Sequence, residues 1–245
     1  MAKYILAHDL GTSGNKATLF SLDGDLGASV LYEYPVSYPH DGWVEQDPED
    51  FWKAVCISGK QLLEKVKVSP ADIAGVAFSG QMMGCLLVDS EGNHLRPIII
   101  WADTRAARQA GEMEKKLGME YVYRATGHRI SASYSAAKLL WVRDNESDIY
   151  KRTHKMLNAK DYIIHRLTGN FVTDYSDASS TNLFNLDKKD WDERIIAALG
   201  IPRAILPDHH PSSDKAGTIS VRAAAETGLL EGTPIYDIET GILTS

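Results

Sequence analysis

The sequence predicts a layered α/β protein, a mixed sheet flanked by helices. Apolar runs at 4–7, 17–20 and 28–34 are separated by turns at Asp9-Leu10-Gly11-Thr12-Ser13-Gly14-Asn15 and Asp23-Gly24-Asp25, the pattern of an antiparallel meander. Further apolar runs at 73–78, 85–88 and 97–101 precede or interleave with segments of helical periodicity. Gly169, Gly200 and Gly228 each follow one of those segments, where a left-handed residue ends a helix.

Each element has a local reason. Residues 38–48, punctuated by proline and glycine, form a loop. Asp47 then caps a helix that begins at Pro48 and runs through Phe51, Trp52, Val55, Leu62 and Leu63. The strand at 73–78 leads into the turn Ser79-Gly80-Gln81-Met82-Met83-Gly84, and the strand at 85–88 returns from it. A turn at Glu91-Gly92-Asn93 precedes the strand at 97–101, which delivers Ala102-Asp103-Thr104-Arg105 at its end. Helices are expected at 105–117, 135–144, 160–167, 191–199 and 221–227. His209-His210, beside Pro207 and Pro211, is expected in a surface turn.

With 245 residues, 44% hydrophobic and 24% charged, the chain can bury one large domain or two modest ones. A formal charge of −7 and the lack of a basic block argue against a nucleic-acid partner. The N-terminal residues do not read as a signal peptide, and no apolar stretch reaches the roughly 18 residues of a membrane span. A cytoplasmic protein with no membrane partner is expected. Cys56 and Cys85 stand in no metal-binding spacing and are expected to be reduced.

Two places carry chemistry. In the 9–14 turn, glycine lets the backbone approach an anion, and Thr12 and Ser13 offer hydroxyl donors. Asp9, at a strand end, can hold Mg²⁺ through water. The alternative is a hairpin whose Asp and Ser satisfy turn amides. No Gly-Lys-Ser/Thr follows, so this is not a Walker loop. The second place is the pair of strand-end turns carrying Gln81, Met82 and Met83, and Trp101, Asp103 and Arg105. An indole face packs on the C–H face of a sugar while Asp and Arg bond its hydroxyls, and strand ends are where open α/β sheets bind small ligands. The alternative makes Trp101 core, Asp103–Arg105 a helix cap with its neighbour, and the methionines filler. The histidines form no metal constellation, and neither GxSxG nor HExxH occurs.

In this order, the pieces resemble the FGGY family of carbohydrate kinases. Tyr4-Ile5-Leu6-Ala7-His8-Asp9-Leu10-Gly11-Thr12-Ser13 looks like the family's first phosphate turn, and Gly42-Trp43-Val44-Glu45-Gln46-Asp47-Pro48 is similar to a segment of its glycerol and xylulose kinases. The 133–145 segment resembles the family's first signature, and Lys160-Asp161-Tyr162 with Thr173-Asp174-Tyr175-Ser176-Asp177-Ala178 resembles xylulose kinases most. The resemblance implies a ribonuclease-H-like domain of the actin/hexokinase ATPase type. Residues 1–245 would be the N-terminal sugar-binding domain, with the C-terminal ATP-binding domain absent from this chain. It implies ATP and Mg²⁺ as cofactors, and γ-phosphate transfer to a sugar or polyol, notably a pentulose such as xylulose, with an Asp base.

By position, Asp9 would belong to the metal–phosphate region, with Gly11, Thr12 and Ser13 at the phosphates. Gln81, Met82, Met83, Trp101, Asp103 and Arg105 would fall at the sugar. Two departures stand out. Met83 replaces a His of xylulose kinases, which removes a hydrogen bond to the sugar. Gly241 stands at the catalytic Asp position, and the nearby Asp237 and Glu239 are out of register. The catalytic base is therefore unassigned, and the chain alone is expected to be inactive. Other readings are a non-catalytic sugar-binding or regulatory module derived from such a kinase, and an actin-like ATPase that acts on no sugar. An apolar face left without its partner lobe is expected to favour a homodimer.

Overall fold

The computed structural model describes residues 3–237. Strands β1 (Tyr4–Leu10), β2 (Gly14–Ser21) and β3 (Leu26–Glu33) form the expected meander, with Leu10 opposite Asn15 and Gly14 opposite Glu33. Glycine is required at 14, because a Cβ there would lie 2.7 Å from the Tyr32 carbonyl oxygen. After the short β4 (Glu45–Gln46), helix α1 (Pro48–Val66) starts as predicted. The Asp47 side chain accepts from the Glu49 amide at 2.9 Å, and Pro48 sits where a missing N–H loses no helical bond. Its buried stripe of Phe51, Trp52, Val55, Leu62 and Leu63 joins Leu6, Leu10 and Leu19 of the sheet in one core.

Strand β5 (Ile73–Gly80) runs parallel to β1 and places Ser79 beside Asp9. Strands β6 (Leu86–Val88) and β7 (Ile98–Ile99) follow. The predicted strand at 97–101 shortens to two residues because its end turns over, the Asp103 amide donating to the Ile100 carbonyl at 3.1 Å. Helices α2 (Ala107–Leu117), α3 (Met119–Thr126), α4 (Ser135–Asn145) and α5 (Ser147–Arg152) build a second core around Met113, Val122, Leu139 and Val142. Neither α3 nor α5 is foreseen in the sequence, since helices of 8 and 6 residues show barely two turns of apolar period.

Strand β8 (Lys155–Leu157) pairs with β6, and α6 (Ala159–Thr168) opens on a capping box of Asn158 and Asp161. Then come β9 (Val172–Asp174), α7 (Tyr175–Ser179), β10 (Phe184–Asn185), β11 (Asp190–Trp191) and α8 (Glu193–Leu199). The helix expected from 191 starts later, because Trp191 pairs with Phe184 and Asp192 becomes the cap. Strand β12 (Asp208–His210) corrects the surface-turn reading of His209-His210: it lies parallel to β9, with His209 beside Thr173. Strand β13 (Lys215–Thr218), helix α9 (Val221–Thr227) and strand β14 (Pro234–Asp237) complete the described part. Gly169, Gly200 and Gly228 cap their helices with φ of 83°, 64° and 77°, as predicted.

The main sheet is ordered β13-β14-β5-β1-β2-β3. Its members β1, β5 and β14 are mutually parallel, so their carboxyl ends emerge together. That edge is where sheets of this kind hold ligands. No helix among the described residues is long and apolar enough to cross a membrane. Cys56 and Cys85 are both free thiols.

Candidate active site

At the carboxyl end of β1, the hairpin turn has its carbonyls held from within. Tyr34 Oη donates to the Gly11 carbonyl at 2.6 Å, Gln46 Nε2 to the Thr12 carbonyl at 2.8 Å, and the Tyr34 amide to the Ser13 carbonyl at 3.2 Å. Burial, with the charge of Asp9 adding to it, raises the Tyr34 phenol and keeps it a donor. A turn whose oxygens are engaged internally can present amides and hydroxyls to an anion. Asp9 is exposed, and its Oδ1 accepts from Ser79 Oγ at 3.1 Å.

The second turn meets the first. Gln81 Nε2 donates to Gln46 Oε1 at 2.8 Å, and the Trp101 indole N–H donates to Thr12 Oγ1 at 3.0 Å. Trp101 is 43% exposed, so it is not core. It lines a cavity of about 460 Å³ with Met83, Arg129, Ser131, Ser133 and Tyr134 among its walls. Met82 is half-buried and does not line that cavity. A larger cavity of about 550 Å³ lies elsewhere, against Glu49, His94, His165 and Arg166, and holds none of these groups.

Asp103 and Arg105, expected at the sugar, are placed differently. The Asp103 side chain is fully buried; it accepts from the Val44 amide at 2.6 Å, from the Arg105 amide at 2.9 Å, and from the Arg105 guanidinium at both carboxylate oxygens. The Arg105 side chain is 1% exposed, pairs with Glu45 at 2.7 Å, and lies 3.8 Å from the Trp43 ring centroid. Both therefore fasten the loop beneath Trp101, and neither carries a free polar edge towards the opening. Asp103 does not cap α2, whose N-cap is Ala106 without a side-chain bond; a buried carboxylate takes the nearest donors that desolvation leaves it.

Sequence reasoning missed a buried charge cluster at the end of β14. Lys160 Nζ lies 3.0 Å from Asp174, 3.3 Å from Asp177 and 3.4 Å from Asp237, and His210 Nε2 lies 3.2 Å from Asp237. Burial pushes Asp177 up to about 7 although Lys160 pulls it down. Burial first, then Asp177, raises Asp161. Asp174 ends below the usual carboxylate range, because Lys160 and Ser212 outweigh its burial. The hydrogen bond to Asp237 raises His210. The motifs carrying Lys160, Asp174 and Asp177 were visible in the sequence, yet the meeting point is created by five separate elements, α6, β9, α7, β12 and β14. Asp237 is enclosed in this cluster; Gly241 and Glu239 lie outside the described residues.

The 9–14 turn, bonded to the Trp101 indole, thus opens beside a cavity of about 460 Å³. Residues 4–240 match the family model for the N-terminal domain of the FGGY family of carbohydrate kinases. The chain belongs to that family. It is 36% identical over 234 residues to the xylulose kinase of Bacillus subtilis (strain 168), covering 96% of this chain and 47% of that protein. It is also 36% identical over 221 residues to the glycerol kinase of Thermococcus gammatolerans, covering 89% and 45% respectively. The solved xylulose kinase from Rhodospirillum rubrum superposes with a TM-score of 0.91 at 27% identity, over 96% of this chain and 48% of that one. The fold is thus that of sugar kinases of the actin/hexokinase ATPase type, as expected. The chain spans about half the length of the curated relatives it matches.

Proposed function

We propose that this FGGY chain is the sugar-binding lobe of an ATP-dependent kinase that phosphorylates a hydroxyl of a pentulose such as xylulose. One observation carries the reading: the Trp101–Thr12 hydrogen bond joins a phosphate-type turn to a sugar-sized cavity at a single sheet edge. In this arrangement Thr12, Ser13 and the turn amides hold phosphate oxygens, and the Trp101 ring covers the apolar face of the sugar. Ser131, Ser133, Tyr134 and Arg129 offer hydrogen bonds to its hydroxyls. Holding both partners in line removes much of the entropic part of the barrier.

Asp9 fits a role beside Mg²⁺, since a single exposed carboxylate suits an ion that keeps several waters and sits on phosphate oxygens. When bound, the ion would neutralise phosphate charge. Among the described residues no group of three or more His, Cys, Asp or Glu is arranged to hold a metal, so a cage made by the protein alone is not proposed. The adenine side is assigned to a second lobe, in keeping with the greater length of the relatives.

Calorimetry with xylulose, gluconate and glycerol, followed by a coupled ADP-release assay, tests this reading. Pentulose binding that Trp101→Ala removes is expected, with negligible ADP release from the 245-residue chain alone. Robust turnover by that chain overturns the lobe assignment, and failure to bind any polyol overturns the sugar site.

A further inference from the structure

Behind the cavity lies a cation that none of these roles uses. Lys138, near the start of α4, is fully buried. Its ammonium donates to the Met83 carbonyl at 2.6 Å and the Ser133 carbonyl at 2.5 Å, and no carboxylate pairs with it among the described residues. Met83 and Ser133 both line the cavity, yet they belong to segments far apart in the chain.

The Met83 backbone is strained. Its φ of 63° lies in the left-handed region that residues with side chains rarely adopt. Such a conformation persists only where neighbours over-determine it. Three side chains do so here. The Met83 amide donates to Ser180 Oγ at 3.2 Å, the Gly84 amide donates to Asn158 Oδ1 at 2.9 Å, and Lys138 takes the Met83 carbonyl. Next to Met83, a Cβ at Gly84 would lie 2.8 Å from the tip of the buried Ile98 side chain, which would have to shift. A methionine at 138 would fill the same space without the cost of burying an ammionium-type charge. What the ammonium adds is a pair of directed bonds across two cavity walls.

We propose that Lys138 is a positioning residue of the sugar site: it draws the Met83 and Ser133 carbonyls inward and so sets the width of the cavity that selects the acceptor. The proposal rests on reading this cavity as the sugar pocket. The titratable and charged groups facing Lys138 are Cys85, Asp103 and Arg105, and burial, partly opposed by the first two, lowers the amine to about 7. The clamp is therefore charged on the acid side of neutrality and weakens as the amine loses its proton.

The test uses the 245-residue chain labelled at the methionine methyl groups. Lys138→Met is expected to shift the Met83 methyl resonance, and to weaken xylulose binding about tenfold, the scale of a small change in pocket shape. Met83→Gly accepts the left-handed backbone without strain, so the double variant should lose less than the product of the two single losses. In the wild type the Met83 methyl should titrate between about pH 6 and pH 8, around the amine's pKa of about 7, and that titration should vanish in Lys138→Met. An unchanged methyl in Lys138→Met, or single losses that simply multiply, overturns the proposal. If that variant does not fold, a flat wild-type methyl titration overturns it and a titrating one supports it. If no polyol binds the wild type, the sugar reading fails, while the methyl shift and its titration still decide the clamp.

Discussion

Replacing Lys160 by methionine keeps the volume of its stem and removes the charge that three buried carboxylates share. Asp174, Asp177 and Asp237 lie 3.0, 3.3 and 3.4 Å from its ammonium. Breaking a buried ionic cluster from one side costs about 3–5 kcal/mol, because the carboxylates left behind lose their shared cation while remaining out of water. Protonation limits that cost. Asp177 already titrates at about 7 and Asp161 is raised, burial being the main cause for both. Without the ammonium their pKa values climb further, so the variant binds extra protons. A carboxyl whose folded pKa is raised stabilises fully below its unfolded pKa, and that stability is lost as pH rises through the folded value. Asp174 has the opposite sign, but its lowered pKa places its effect in more acidic solution.

The deficit of Lys160→Met should therefore be about 3–5 kcal/mol near pH 8 and clearly smaller near pH 5. At roughly 2–4 °C per kcal/mol, melting near pH 8 falls by about 6–20 °C. Urea and thermal unfolding of both chains at the two pH values, followed by tryptophan fluorescence and circular dichroism, provide the assay. A deficit under about 1 kcal/mol near pH 8, or one that widens on acidification, would refute the reasoning.

Trp101→Ala should change stability by no more than about 1 kcal/mol, since the ring is partly exposed, while xylulose affinity measured by calorimetry falls at least about tenfold. Arg105→Lys should lower unfolding stability by about 2–3 kcal/mol, because an ammonium cannot keep the paired bonds to Asp103 and the stacking on Trp43. Urea melts indistinguishable from wild type would contradict that. Burial pushes the Cys85 thiol up to about 12 and the half-buried Cys56 thiol up to about 11, so a disulfide-exchange reagent should label Cys56 slowly in the native chain and Cys85 only after urea unfolds it. Rapid labelling of Cys85 in the native chain would count against its burial.

What was legible in the chain is what short-range chemistry controls. The meander follows from two turns of Asp and Gly between apolar runs, and α1 from Asp47 and Pro48 acting within one helical turn. Glycine caps at 169, 200 and 228 act through their own backbone angle. The turn at 9–14 was visible for the same reason, since its geometry needs only Gly11 to Gly14. Roles that depend on burial were not legible. Asp103 and Arg105 looked like ligand groups beside Trp101, yet burial turned them on each other and on Glu45. His209-His210 looked like a turn between prolines, yet β9 offered a strand to pair with.

The sequence by itself therefore determined the longer elements, the family and the two turns proposed to carry the site. Only the tertiary structure decided that Trp101 bonds to Thr12, that Lys160 gathers three aspartates, and that Lys138 stands behind the cavity on the Met83 and Ser133 carbonyls. The physical reason is desolvation: a charge or amide out of water must bond to whatever the fold brings within reach, and that neighbour comes from another part of the chain.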